Sequence, residues 1–135
     1  MSIRTIRMLP VSSRTQKRAD RLKYNDRHWL RMRRDFLATY PFCIVCLVQG
    51  EYTVATVADH IERHADDRDL FFDFENLQPL CKRCHDVEKQ SHERRGGTGE
   101  TWLRLLREIM MEKHTENFVG SMEEWLPIGI ADALI

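Results

Sequence analysis

The chain has 135 residues, 42% hydrophobic and 31% charged, with 21 Lys/Arg against 21 Asp/Glu. That length suits one domain with appendages rather than two domains, and no apolar run approaches the roughly 18 residues of a membrane span. The opening Met1-Ser-Ile-Arg lacks the apolar stretch and cleavage site of a secretory signal, so a cytoplasmic location is expected, where paired cysteines favour metal over disulfides.

The zero net charge conceals an asymmetry. Residues 1 to 40 hold eleven Lys/Arg against three Asp/Glu, a surplus of eight. Residues 41 to 99 hold seven against eleven, and residues 100 to 135 three against seven, each four charges negative. A basic arm ahead of an acidic remainder suits phosphate contact, although a solvated leader has the same composition.

In chain order, residues 1–24 carry Pro10, Ser12, Ser13 and scattered basic residues with no apolar period, and read as a flexible basic arm. From an N-cap at Asn25 or Asp26, Trp29, Met32 and Phe36 recur at helical spacing and predict an amphipathic helix ending before Pro41. Cys43-Ile-Val-Cys46 makes a tight knuckle closed by Gly50. The Val- and Thr-rich segment Tyr52 to Ile61 favours a strand carrying Asp59 and His60. Residues 62–75, with Phe71, Phe72 and Phe74 among acidic residues, read as a loop pinned by aromatic anchors. A second knuckle, Cys81-Lys-Arg-Cys84, leads into a short helix to about Glu93, stopped by Gly96-Gly97. Thr98 then caps a helix whose stripe is Trp102, Leu105, Leu106, Ile109 and Met110. Ser121-Met-Glu-Glu124 matches a capping box. These segments divide the chain into the arm 1–24, a central domain 25–97 and a helical extension 98–135 that packs on or beside it.

Two Cys-x-x-Cys pairs, Cys43/Cys46 and Cys81/Cys84, use every cysteine in the chain. Such turns place two sulfurs each on a tetrahedral ion, and four thiolates predict structural Zn²⁺ with no open position for chemistry. Disulfides and a redox dithiol are the competing readings of the same pairs. Catalysis would have to come from neighbouring residues. Asp59, His60, Asn76 and His85 flank the knuckles and supply what phosphodiester cleavage needs: a base for water and ligands for a divalent cation.

The run Tyr40-Pro-Phe-Cys43-x-x-Cys46, then Asp59-His60-Ile61-x-x-His64, then Glu75-Asn76-Leu-Gln-Pro-Leu-Cys81-x-x-Cys84-His85 resembles the HNH endonuclease family, in the four-cysteine form common in bacteriophages and prophages. The resemblance implies an α+β fold: a small zinc-stapled, treble-clef-like ββα-metal domain with flanking N- and C-terminal helices. It implies His60 as general base, Asp59 and His85 as ligands of a catalytic Mg²⁺, Mn²⁺ or other divalent ion, and Asn76 as the residue that steadies the loop and the His60 imidazole. It also implies DNA as substrate, a bacterial-host or phage-encoded setting, and genome packaging beside a terminase as the biological context. His64 matches a recurrent family position, and His92 lies two helical turns beyond His85; both are candidate accessory residues for metal or phosphate. Arg94 and Arg95, with Lys82 and Arg83, are candidate phosphate contacts. The alternative is a zinc-bound module that binds nucleic acid or protein without cutting.

Overall fold

A computed structural model of the protein describes residues 23–113 and 123–134. Helix α1 (Arg27–Thr39) starts where the Asp26 carboxylate accepts from the backbone N–H groups of His28 at 2.8 Å and Trp29 at 3.3 Å. It buries Trp29, Met32 and Phe36 along one face. It stops because Tyr40 precedes Pro41, and a residue before proline is pushed out of the helical region; Tyr40 sits at φ −123°, ψ 82°. A five-residue helix, α2 (Ile44–Val48), is buried throughout, and Gly50 at φ 88° turns the chain away after it.

The strand expected over residues 52–61 divides into two parts. Val54 bridges Phe42, with Cys43 N–H bonded to Thr53 O at 2.7 Å and Ala55 N–H to Pro41 O at 2.8 Å. Strand β1 (Val57–His60) then pairs antiparallel with β2 (Leu77–Leu80). The chain therefore changes partner at Thr56, which no local β-propensity announces. The two-stranded register is Val57↔Leu80, Ala58↔Pro79, Asp59↔Gln78 and His60↔Leu77. Because side chains alternate, Val57, Asp59, Gln78 and Leu80 share one face, and Ala58, His60 and Leu77 share the other.

Between the strands, the expected loop contains a helical turn, α3 (Arg68–Phe71), capped by Asp67, and a 3₁₀ turn Phe74–Asn76 capped by Asp73. The short acidic side chains, which compete with the backbone for hydrogen bonds, explain both starts. Phe71 is fully buried, and Phe74 meets Phe36 edge-on with ring centroids 5.1 Å apart, so the aromatic anchors do pin this segment. After β2, a π-helical turn Cys84–Lys89 continues directly as the α-helix Gln90–Arg94; together they form α4. Gly96 at φ 83° ends it. Helix α5 (Gly99–Lys113) and helix α6 (Ile128–Leu134) complete the described chain, with a 3₁₀ turn Glu123–Trp125 before α6. The arm up to residue 22 and the capping box at Ser121 lie outside the described residues.

Two apolar clusters hold these pieces. Trp102, Leu106 and Met110 of α5 and Ile130 and Leu134 of α6 pack on α2 and the cysteine knuckles. Trp29, Met32 and Phe36 of α1 pack on Ala58, Phe71 and Leu77. The thin sheet lies between them, with α1 on one face and α5 on the other. Among the described residues, no helix is long and apolar enough to cross a membrane.

Candidate active site and metal centre

The end of β1 presents two consecutive polar residues to opposite sides. His60, 6% exposed, points toward α1, where its ring stacks on Trp29 at 5.1 Å and on Phe71 at 5.2 Å between centroids. Its Nε2 lies 3.0 Å from the Phe71 carbonyl oxygen. A carbonyl can only accept, so Nε2 carries the proton and Nδ1 is left as the basic nitrogen. Burial pushes the His60 imidazole below its ordinary range, against the opposing pull of the Phe71 carbonyl, which keeps the ring neutral.

Asn76 is buried and ties the two ends of the inter-strand segment together. Its Oδ1 accepts from Glu62 N–H at 2.9 Å, and its Nδ2 donates to Glu62 O at 3.0 Å and Leu70 O at 3.2 Å. Its hydrogen bonds hold the loop; the bond that fixes the His60 ring comes from Phe71, one residue past Leu70.

Asp59, on the opposite sheet face, meets α4. Its Oδ1 is 3.5 Å from His85 Nε2, and its Oδ2 is 2.9 Å from Gln78 Nε2 and 3.4 Å from Lys89 Nζ. Burial alone would push the Asp59 carboxyl up; the His85 hydrogen bond, the Lys89 charge and the Gln78 amide overcome it and hold the group below the ordinary carboxylate range. The same hydrogen bond to Asp59 raises His85 to about 9, against burial and with help from Asp86, whose Oδ1 is 2.9 Å from His85 Nδ1. A carboxylate and an imidazole nitrogen facing each other, with the second nitrogen on another carboxylate, suit a divalent ion. Such an ion would replace the shared proton while Asp86 kept the ring oriented.

His64 lines the same cavity, but both of its nitrogens are engaged: Nδ1 accepts from Asp66 N–H at 3.0 Å, and Nε2 is 3.0 Å from the Tyr24 hydroxyl. The loop that presents it is strained, with Ala65 at φ 47° and Asp66 at φ 62°. His92 lies elsewhere. Its Nε2 is 2.9 Å from Thr101 Oγ1, its ring is 5.5 Å from Trp102, and Gly97 closes over it. Lys82 is paired with Asp86 at 2.8 Å, and Arg94 with Gln90 at 3.3 Å.

A cavity of about 520 Å³ and a neighbouring one of about 440 Å³ share Tyr24, Asp59, His60 and His85 as lining, so open space extends to both sides of the Asp59–His85 pair. Arg63 borders the first and Arg33 the second. Three contributors escaped the sequence. Lys89, 2% exposed, bonds His60 O at 3.1 Å and pairs with Glu93; its i+4 spacing from both His85 and Glu93 was the available signal. Gln78 owes its place to register alone. Tyr24 was read as arm, and nothing local distinguishes it.

The four cysteine sulfurs lie within 4.8 Å of one another and none is in a disulfide, an arrangement able to bind a metal ion. Cys46 Sγ and Cys84 Sγ are 3.8 Å apart, the edge of a tetrahedron with metal–sulfur bonds of about 2.3 Å. Burial pushes the Cys43 thiol up to about 11 and drives Cys84 up as well, so without a cation these two resist ionisation, whereas at Cys81 burial is outweighed by hydrogen bonds from Cys84, Cys43 and Cys46, which hold the thiol below its ordinary value. All four come from the two knuckles, and three are buried in the core beneath α5.

Residues 43–91 match the family model described as HNH endonuclease. Comparison with curated proteins finds no match. Among solved structures, the chain is similar to the HNH endonuclease of the deep-sea thermophilic bacteriophage GVE2, crystallised with a manganese ion: 35% identity, covering 62% of this chain and 89% of that one, with a TM-score of 0.50.

Proposed function

The chain belongs to the HNH endonuclease family, and on that premise we propose that it is a metal-dependent nuclease that hydrolyses phosphodiester bonds of DNA, with His60 as general base. The observation that carries the assignment is the 3.0 Å bond from His60 Nε2 to the Phe71 carbonyl, which leaves Nδ1 as the ring's only proton acceptor. Being neutral and clamped between Trp29 and Phe71, that ring takes a proton from water without first losing one or reorienting. The attacking oxygen forms its bond to phosphorus as its proton passes to Nδ1, and the bond to the leaving sugar oxygen breaks.

Asp59 and His85 hold the catalytic ion, Mn²⁺ or Mg²⁺; the manganese in the similar phage structure supports this choice. When bound, that ion supplies charge stabilisation for the phosphoryl and leaving oxygens. Asn76 keeps Glu62 and Leu70 in place and so aligns the Phe71 carbonyl with His60. Arg33, Arg63 and the exposed Arg27, Arg31 and Arg34 of α1 contact DNA phosphates on either side, which makes binding fall steeply with salt. The cysteine tetrad holds Zn²⁺, whose preference for four thiolates fits the sulfur spacing, and serves the fold rather than the reaction. The resemblance and the phage origin of the similar structure support a role in genome packaging beside a terminase, which co-purification with a large terminase subunit tests.

The deciding experiment compares supercoiled-plasmid cleavage by wild type and His60→Ala, each zinc-loaded to the same content, with and without Mn²⁺ or Mg²⁺. Wild type cuts only with the added ion, and His60→Ala loses at least about a hundredfold in rate. Equal cutting by both removes His60 from the mechanism; no cutting by wild type with any ion favours a binding module.

A further inference from the structure

Asp59 is held from behind by a hydrogen-bonded chain whose far end, Trp102, lies outside the family match at 43–91. The register sets Gln78 directly across from Asp59 on the same sheet face, and the Gln78 side chain is fully buried beneath α5. There Trp102 Nε1 lies 2.7 Å from Gln78 Oε1, and Gln78 Nε2 lies 2.9 Å from Asp59 Oδ2. An indole N–H can only donate, so Trp102 requires the oxygen of the amide to face it and forces the amide nitrogen toward Asp59. The flipped amide would set two donors against each other in a buried place and leave a carbonyl facing a carboxylate, an expensive arrangement away from water. Lys89 reinforces the same oxygen: its Nζ is 3.4 Å from Oδ2 and 5.8 Å from the Trp102 ring centroid. One carboxylate oxygen is thus consumed by the protein, and the other, Oδ1, remains turned to His85.

We propose that Trp102 and Gln78 are positioning residues for the catalytic cation: the indole sets the Gln78 amide, the amide occupies Oδ2 of Asp59, and Oδ1 is thereby presented with His85 to the ion. This rests on the reading of Asp59 and His85 as the ion's ligands. It makes α5 part of the working site although its residues touch neither substrate nor metal. Hydrogen-bond partners behind a metal ligand fix its orientation and basicity, and their loss characteristically weakens metal binding by about tenfold to a hundredfold.

The test is titration of full-length, zinc-loaded protein with Mn²⁺, followed by the electron paramagnetic resonance signal of the free ion. Trp102→Phe keeps most of the ring packing and removes the donor; Gln78→Met keeps the length and removes the amide. Each weakens Mn²⁺ binding by about tenfold or more. In plasmid cleavage Trp102→Phe shifts the Mn²⁺ concentration needed for half-maximal rate and retains the rate at saturation. Met110→Ala, a buried position on the same helix outside the hydrogen-bonded chain, lowers thermal stability and leaves Mn²⁺ affinity at the wild-type value. Wild-type affinity in both Trp102→Phe and Gln78→Met overturns the proposal, as does equal weakening by Met110→Ala. Should Trp102→Phe fail to retain zinc, Gln78→Met alone decides. Weakened Mn²⁺ binding in the variants of a wild type that cuts no DNA supports the positioning role and sinks the nuclease reading, so the two failures are told apart.

Discussion

His60 and His85 are both imidazoles at one site, and their surroundings drive them in opposite directions. Burial depresses His60, so it stays neutral below the ordinary value near 6.5. With Mn²⁺ saturating, the rate of plasmid cutting should therefore hold as pH falls to about 6.5 and decline only below it; an acid limb well above that value would contradict a neutral, buried base. His85 is raised to about 9 by Asp59, so in the ion-free protein a proton occupies the nitrogen that the proposed ion would need. The sign is opposite: Mn²⁺ affinity should rise with pH, by up to about tenfold per unit, until it levels near 9, as calorimetric titrations across pH will show. Asn76→Ala leaves three backbone groups without their partner and should cost about 3 kcal/mol of stability in denaturant unfolding of the zinc-loaded protein. A loss under about 1 kcal/mol would mean that water takes the amide's place. At this scale the residue types were legible: Asp59, His60, Asn76 and His85 stand out because their chemistry is scarce and their order specific. Gln78, Lys89 and Tyr24 did not, since a glutamine acquires meaning only from what faces it across a strand.

Elements were legible where their cause is local. Asp26 and Pro41 bracket α1, and Gly96 ends α4, because capping and backbone restriction act within a few residues. The extent of β1 was not, because residues 52–55 pair with the Cys43 knuckle and residues 57–60 with a strand containing Pro79. Nor did acidic spacing alone announce α3. Helix α6 illustrates a constraint of the same non-local kind: a Cβ at Gly129 would overlap the Glu75 carbonyl oxygen, just before Asn76. Gly129→Ala should cost about 1–3 kcal/mol in thermal unfolding, as overpacking does. Ile128→Ala, at a residue 60% exposed, should be close to neutral. Equal effects from the two would show that α6 shifts freely against that loop.

Across the whole molecule, the proposed reading gives two cation sites separate work. The cysteine tetrad joins the segments before β1 and after β2 inside the core, so an ion held there would act on folding, where a structural Zn²⁺ contributes on the order of 10 kcal/mol. That is comparable to the entire stability of a small domain. Stripping the tetrad with a strong chelator should abolish the far-ultraviolet circular dichroism transition and cutting together. Removing Mn²⁺ alone should stop cutting, leave the spectrum unchanged, and be reversed by adding the ion back. A stripped protein that kept a cooperative melt would refute the stapling role. The knuckle spacing made the cysteine cluster legible from the start, whereas the contact of α5 with Gln78 depends on tertiary packing that no spacing encodes.

Consecutive positions on β1 aim at opposite flanks of the sheet, one at the aromatic clamp and the other at His85. Their phase is therefore shared: sliding this strand by a single step would undo both assignments at once, bringing either Asp59 into the clamp with Ala58 opposite the amide, or His60 opposite the amide with Ile61 in the clamp. Alignment here is all or nothing, and length variation is tolerable only in the connecting segments, where it leaves the parity of the strand untouched.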